Sequence, residues 1–181
     1  MNNCKNNGLS AVPCPVPQTS VTPILQGPPG PPGPPGPGAI ESAFRANKTT
    51  VQPITAITVE TVIFEDELFD FNNEYDGSTT FVPKQEGVYQ INSNIVFAPN
   101  TGDSYFVRFN MVINGVVVAT DLSSNNIATT SFTLATIYGL NPGDNVNIQI
   151  FSSVGGTAAF LTGQESSSFS AARFPFTSPI P

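Results

Sequence analysis

The sequence predicts an all-β protein, a jelly-roll sandwich of about ten antiparallel strands preceded by a short collagen-like triple-helical stalk. Three observations support this prediction. Glycine recurs at every third position over residues 27–38, apolar and polar residues alternate in many short segments after residue 40, and turn-forming residues separate those segments. The chain therefore divides into a flexible attachment segment (1–26), a collagen-like stalk (27–38) and a jelly-roll head (39–181).

The stalk reads GPPGPPGPPGPG, with its repeating glycines at Gly27, Gly30, Gly33 and Gly36. Only glycine fits at the axis where the three chains of a collagen helix meet, so this spacing predicts a trimer. A stiff polyproline spacer in a monomer is the alternative interpretation. At about 3 Å per residue the stalk is only roughly 35 Å long. A second element must therefore help to assemble the three chains.

Residues 1–26 are rich in Asn, Pro, Ser and Thr, which is typical of a segment with little to bury. Both cysteines of the chain, Cys4 and Cys14, lie here. They could form a disulfide within or between chains, or remain free thiols; zinc is disfavoured because the chain has no histidine. Three apolar residues precede the stalk: Val21, Ile24 and Leu25. We hypothesise that residues 1–26 attach the trimer to a larger assembly.

The head shows the alternation of half-buried strands. In residues 89–97 the odd positions are mostly apolar and the even positions polar, and residues 105–113 and 146–150 repeat the pattern. This period of two predicts strands rather than helices. The expected strands lie near residues 43–49, 54–58, 61–68, 79–83, 86–97, 104–113, 116–121, 128–139, 144–152, 157–163 and 166–174, with some of the short ones merging.

Turn residues fall between these strands. Asn114-Gly115 is the strongest hairpin signal in the chain. Asn141-Pro142-Gly143-Asp144 places proline and glycine where a type II turn requires them. Further breaks are predicted at Asp76-Gly77, Thr101-Gly102 and Gly155-Gly156.

Three segments carry apolar residues on both faces of a predicted strand: Ile95–Phe97, Tyr105–Val107 and Phe132–Tyr138. One face can fill the sandwich while the other meets a neighbouring subunit. The alternative is that the second face lies under loops of a monomer.

An ordered series of motifs covers about residues 40–174. It consists of SAFRA at 42–46, FDFNNEYD at 69–76, TFVP at 80–83, GVYQI at 87–91, LNPGDNV at 140–146 and SSFSA at 167–171. In order and spacing these motifs resemble the complement-one-q/tumour-necrosis-factor-like jelly-roll family, although Ala171 stands where a glycine is commoner. The resemblance implies a homotrimer with aromatic and aliphatic side chains along a threefold axis. The candidates for that axis or for the core are Tyr89, Phe97, Phe132, Tyr138 and Phe169.

Within that family, the layout of attachment segment, triplets and head looks closest to the collagen-like proteins of bacillus spore surfaces. The triplets here lack threonine, the residue commonly glycosylated in those proteins. The resemblance implies a location in the exosporium nap or at the tip of a surface fibre. The N-terminus has no apolar stretch of a secretory signal, which agrees with release by lysis of a mother cell, or of a host cell in the case of a phage.

Several kinds of chemistry are excluded or disfavoured. Without histidine there is no Ser-His-Asp triad, and no cofactor is expected. Thirteen acidic residues outnumber six scattered basic ones, giving a net charge of −7, which argues against nucleic acid. No apolar run approaches the roughly 18 residues of a membrane span. The cluster Glu65-Asp66-Glu67 is expected on a solvated strand edge, and Asp103, Asp121 and Asp144 are weak calcium candidates near predicted turns.

The sequence thus predicts a non-enzymatic, structural and adhesive homotrimer of a bacterial spore surface. Its N-terminal segment would dock on a spore-surface or fibre protein, and its head would face outward toward host surface molecules or glycans. The alternatives are a receptor-binding protein of a phage tail fibre, located on the virion, and a glycan-binding, lectin-like head.

Overall fold

The computed structural model describes residues 42–126, 128–159 and 167–175, which form two antiparallel β-sheets packed face to face. The strands are β1 (Ala43–Asn47), β2 (Gln52–Ile54), β3 (Val59–Thr61), β4 (Asp66–Asp70), β5 (Thr80–Phe81), β6 (Gly87–Pro99), β7 (Tyr105–Ile113), β8 (Val116–Asn126), β9 (Thr130–Leu140), β10 (Val146–Ser152), β11 (Gly156–Ala159) and β12 (Ser168–Arg173). None of the described residues belongs to a helix long and apolar enough to cross a membrane.

The long strand β6 is the centre of the first sheet, which we call sheet A. One edge of β6 pairs with β9, and the other edge pairs first with β12 and then with β11. Strands β1 and β4 continue the sheet beyond β12, and β2 continues it beyond β11. The second sheet, sheet B, has the order β3-β10-β7-β8, with β5 also paired to β10. Consecutive strands such as β6 and β7 lie in different sheets, which confirms the predicted all-β jelly roll.

The core fills the space between the sheets because one face of each strand is apolar. In β6 the side chains of Tyr89, Ile91, Ile95 and Phe97 have no exposed surface. An aromatic cluster closes the end of the sandwich near Ser42. Its central ring, Phe44, stacks on Tyr75 and Phe81 with centroids 4.7 Å apart in each case, and it meets the edge of Phe169 at 4.9 Å.

Two predicted turns are confirmed by their backbone geometry. Asn114 and Gly115 have φ angles of 50° and 81°, as a type I′ hairpin between β7 and β8 requires. Gly143 has a φ of 89°, and the amide of Asp144 donates to the carbonyl of Asn141 at 3.1 Å. This is the type II turn that proline followed by glycine predicts.

The prediction of one strand over residues 61–68 was wrong, because the chain crosses from sheet B to sheet A there. Strand β3 ends at Thr61 and β4 begins at Asp66. Val62 and Phe64 between them are fully buried, so they mimic the alternation of a strand while they point into the core. Their amides donate to Ile148 and Ser78 carbonyls at 2.8 and 2.7 Å, which satisfies the backbone of the crossing.

The prediction of a strand at 54–58 was also wrong in its position. Strand β2 covers Gln52–Ile54, and a turn follows in which Ile57 has a φ of 60°, a value that ends any strand. Pro53 is tolerated because β2 lies at the edge of sheet A. Strand β8 extends to Asn126, five residues beyond its predicted end at 121, since it pairs along most of β7.

Candidate assembly interface

The outer face of sheet A carries two rows of side chains from five adjacent strands. The strand register places one row at Phe69, Arg45, Ser170, Asn92 and Ala135, and the next row at Ala43, Ala172, Gln90 and Ile137. We call these nine residues the A face. Most of their strand neighbours, such as Phe44, Ile91 and Phe169, are buried on the opposite side, as the alternation of a strand requires.

The A face is poor in charge and hollow in its middle. Arg45 is the only charged residue of the two rows. The central positions on β12 and β6 hold small or carboxamide side chains, and they surround a depression of about 300 Å³ whose lining comes from β1, β4, β6 and β12. A concave surface with so little charge is typical of the part of a protein that another protein covers.

Large apolar side chains lie at both margins of the A face. At the β4 margin Phe69 stacks on Phe71 with centroids 5.0 Å apart, and the two are 39% and 58% exposed. At the β9 margin Ile137 is 64% exposed, whereas the next residue, Tyr138, pairs with the buried Tyr89 and points to the other side of the strand. Neighbouring exposed apolar groups of this size mark an interaction surface more often than scattered single residues do.

The structure separates the five aromatic candidates for core or axis. Tyr89, Phe97, Phe132 and Phe169 lie in the core and are at most 1% exposed. Tyr138 lies on the same side of sheet A as Tyr89, its partner in the register, but it is 40% exposed. Phe69 was not among the residues that the sequence suggested for an interface. Ile137 lies in the segment Phe132–Tyr138, whose second apolar face the sequence assigned to a neighbouring subunit, but it was not named individually.

The three segments with two apolar faces behave differently from one another. Val96, on the outer side of β6, is only 2% exposed, so a single chain covers it and no neighbour is required. Ile137 remains exposed on sheet A. Phe106 remains 37% exposed on the outer side of sheet B, where its ring stacks on Phe151 at 5.6 Å.

A buried polar network fixes the position at which the chain enters sheet A. The hydroxyl of Ser42 donates to Glu74 Oε2 at 2.5 Å, and its oxygen lies 3.1 Å from the Tyr89 hydroxyl. The other oxygen of Glu74 accepts hydrogen bonds from the Asn72 side chain at 3.0 Å and from the Lys84 amide at 2.6 Å. Burial raises the pKa of Tyr89 above its usual range. Ser42 is therefore held at the edge of the A face, next to Ala43.

The prediction of a solvated strand edge at the acidic cluster was wrong for Glu65, which lies in the crossing between β3 and β4. Its Oε1 accepts hydrogen bonds from the amides of Thr49, at 2.8 Å, and Thr50. Its Oε2 lies 3.9 Å from Lys48 Nζ, whose side chain is fully buried. Burial lowers the pKa of Lys48, and Glu65 opposes this shift. Burial raises the pKa of Glu65, but hydrogen bonds and the Lys48 charge outweigh it and hold that pKa below its usual range.

The three calcium candidates do not converge. Asp103 precedes β7, and its carboxylate accepts a hydrogen bond from the Thr101 hydroxyl at 2.8 Å. Asp144 lies beyond the far end of β7, and its carboxylate accepts a hydrogen bond from the Asn114 side chain at 2.8 Å. Nine residues of strand separate them by roughly 30 Å. Asp121 lies within β8. Among the described residues no three acidic, histidine or cysteine side chains form a group that could hold a metal ion.

The other sequence candidates lie outside the described residues. They are the stalk glycines Gly27, Gly30, Gly33 and Gly36 and the attachment candidates Cys4, Cys14, Val21, Ile24 and Leu25. The roles predicted for them stay predictions.

Comparison with known proteins identifies the fold. No protein-family model and no curated protein matches the chain. Murine APRIL at pH 5.0 is similar with a TM-score of 0.55 and 12% identity, over 74% of this chain and 99% of that one. Eiger TNF from S. frugiperda is similar with a TM-score of 0.55 and 9% identity, over 77% and 96% of the two chains. The globular domain of zebrafish complement 1qA is similar with a TM-score of 0.47 and 18% identity, over 73% of this chain and 93% of that one. The first two likenesses show that the head has the tumour-necrosis-factor-like jelly-roll fold.

Proposed function

We propose that the protein is a non-enzymatic homotrimer that is attached to a bacterial spore surface through residues 1–26 and displays its head outward. The observation that carries the trimer is the A face, a charge-poor and hollow sheet surface with exposed apolar side chains at both margins. Burying these side chains between subunits would stabilise the assembly by about 25 cal/mol for each Å² of apolar surface removed from water.

The two margins of the A face suit cyclic symmetry. In a closed ring of three subunits each contact joins two different surfaces, one from each neighbour. The β9 margin projects Ile137, and the centre of the A face offers a depression. We propose that the β9 margin of one subunit packs against the A face of the next.

Replacing Ile137 by aspartate is expected to convert the trimer into monomers, because each contact would then lose the apolar side chain of Ile137 and take a charged carboxylate out of water. Light scattering coupled to gel filtration of the full chain, under reducing conditions, measures the mass. The unchanged chain should give three times 19.1 kDa, and Ile137→Asp should give a single chain at micromolar concentration.

Leu122→Asp is the matched control for this experiment. Leu122 is 57% exposed, close to the 64% of Ile137, and it lies on the outer side of sheet B instead of sheet A. The Leu122→Asp protein should remain trimeric. A monomeric unchanged chain, or an Ile137→Asp protein that stays trimeric, would contradict the proposed interface.

Deleting residues 1–26 is expected to leave a soluble trimer that no longer attaches to spores, because the A face is outside the deleted segment. Immunogold labelling of spores from a bacillus that produces either the full or the shortened chain measures attachment. Labelling of spores by the shortened chain would contradict the attachment role. Labelling of phage particles, with none on spores, would support the tail-fibre alternative instead.

A further inference from the structure

A second surface, on the outer side of sheet B, combines aromatic, cationic and hydroxyl groups. We call it the Phe106 site and define it by Phe106, Arg108, Ser124, Phe151 and Ser153. The strand register places Phe151 beside Arg108. The amide of Phe106 donates to Ser153 Oγ at 3.0 Å, and the amide of Ser153 donates to the Phe106 carbonyl at 3.0 Å. The site is therefore built on paired strands, which hold it rigidly.

The aromatic part of the site is a stacked pair of rings. The centroids of Phe106 and Phe151 lie 5.6 Å apart with an angle of 30° between the ring planes. Phe106 is 37% exposed, so part of its surface is open to a ligand. Because Phe151 stacks on Phe106, a ligand ring that packs on the exposed part of Phe106 would find that side chain already in position.

Arg108 supplies positive charge next to this pair. Its guanidinium carbon lies 5.9 Å from the centroid of Phe151. Within the described part of the chain this cation–π contact is the one interaction of the Arg108 side chain, which has neither a hydrogen bond nor an ion pair there. In a protein whose net charge is −7, a guanidinium that pairs with no carboxylate among the residues that the structure describes is well placed for an anionic group of a ligand.

Hydroxyl groups line a depression beside Phe106. The depression has a volume of about 230 Å³, and its lining residues are Ser104, Tyr105, Phe106, Ser124 and Ser153. This volume is below the roughly 300–1,000 Å³ of sites that enclose drug-sized ligands, which suits a single sugar residue. Ser153 Oγ accepts a hydrogen bond from the Phe106 amide, so its own proton is available to a ligand.

We propose that the Phe106 site binds a saccharide that carries a carboxylate. The apolar face of the sugar ring would pack on Phe106, its hydroxyl groups would bond the serines, and its carboxylate would pair with Arg108. Phe106 and Arg108 are two residues apart on one side of β7, about 7 Å, so one ligand reaches both. An acidic peptide such as hexaglutamate would satisfy Arg108, but it has no ring whose apolar face could pack on Phe106.

The position of the site suits a displayed head. Strand β6 runs from the end that holds Ser42 to the opposite end, and β7 starts there at Tyr105. The Phe106 site thus lies at the end of the sandwich away from Ser42, and on the sheet opposite to the A face. All of its groups come from one chain, so binding at this site does not require the trimer. The proposal adds a ligand to the outward-facing head of the proposed function.

Binding is tested by titrating the full chain with N-acetylneuraminic acid, glucuronic acid, neutral N-acetylglucosamine and a hexaglutamate peptide, followed by saturation-transfer NMR and calorimetry. At least one of the two acidic sugars should bind saturably, and N-acetylglucosamine should bind at least tenfold more weakly. Arg108→Gln should weaken the acidic sugar at least tenfold, since it removes a charge-assisted pair. Phe106→Ala should weaken it as well. Lys84→Gln is the control, because it removes an exposed positive charge outside both the Phe106 site and the A face, and it should bind normally.

Each other outcome overturns the proposal. Binding of hexaglutamate without the acidic sugars would assign the site to peptides, and binding of none of the four probes would remove the site. Equal binding of acidic and neutral sugars, or unchanged binding by Arg108→Gln, would contradict the role of the guanidinium. The mass of the same samples by light scattering reports the trimer separately, so that a failure of this site and a failure of the assembly are distinguishable.

Discussion

Replacing Phe44 by alanine is expected to lower the free energy of unfolding by about 3–5 kcal/mol, because the change leaves a cavity among rings that cannot close it. Phe44 is only 1% exposed. It stacks on Tyr75 and Phe81 at 4.7 Å, and it meets the edge of Phe169 at 4.9 Å. Urea unfolding followed by circular dichroism, at one fixed protein concentration, measures the loss.

Phe106→Ala is the control for Phe44→Ala. Phe106 is 37% exposed and has a single stacking partner, Phe151. Its loss should cost about 1 kcal/mol, the size of one aromatic contact. If both variants lost equal stability, the cluster around Phe44 would not be the centre of the core. The same measurement shows that Phe106→Ala is folded, as the saccharide titration requires.

The fold followed from local features of the sequence. The alternation in residues 89–97 predicts β6 with its inner face of Tyr89, Ile91, Ile95 and Phe97, and all four are buried. Asn114-Gly115 predicts the hairpin of β7 and β8 because two consecutive positive φ angles favour this dipeptide. These signals depend only on each residue and its neighbours in the sequence, and they can therefore be recognised without a structure.

Features decided by distant partners were not predicted. Val62 and Phe64 are apolar and two residues apart, so they fit a strand, yet the chain is changing sheets at that point. The amide of Val62 donates to the carbonyl of Ile148, which lies far away in the sequence, and the amide of Phe64 donates to the carbonyl of Ser78. Nothing within residues 61–68 indicates those partners, and the crossing therefore appears only in three dimensions.

The A face was hidden for a related reason. Its central residues, such as Ser170, Asn92 and Ala135, are of types that carry no strong signal for an interface. The register of β12, β6 and β9 brings these three into one row, and that register joins segments up to about 80 residues apart. Apolarity alone directed attention to Phe97 and Phe132, but a core and a subunit axis are equally apolar, so composition cannot separate them.

The two glycines of the predicted Gly155-Gly156 break differ in how much space surrounds them. Gly156 lies in β11 and pairs with β6. A Cβ atom at this position would lie 2.5 Å from the Ala98 carbonyl oxygen and 2.5 Å from the Phe97 ring. A Cβ at Gly155 would have its nearest neighbour, Asn100 Nδ2, at 3.6 Å, an ordinary contact. Neither glycine has the left-handed backbone that only glycine adopts easily, so the difference between them is one of space.

Gly156→Ala is therefore expected to lower the free energy of unfolding by about 3 kcal/mol, because neither a paired strand carbonyl nor the buried ring of Phe97 can move away cheaply. Gly155→Ala should change it by less than about 1 kcal/mol, and the lower entropy of the unfolded chain favours a small gain. Urea midpoints of the two variants, compared with the unchanged protein, measure both effects. Equal midpoints would mean that β11 does not approach β6 as closely as the structure shows. A large loss at Gly156 alone would instead establish that this glycine is required by the packing of a strand and not by the flexibility of a turn.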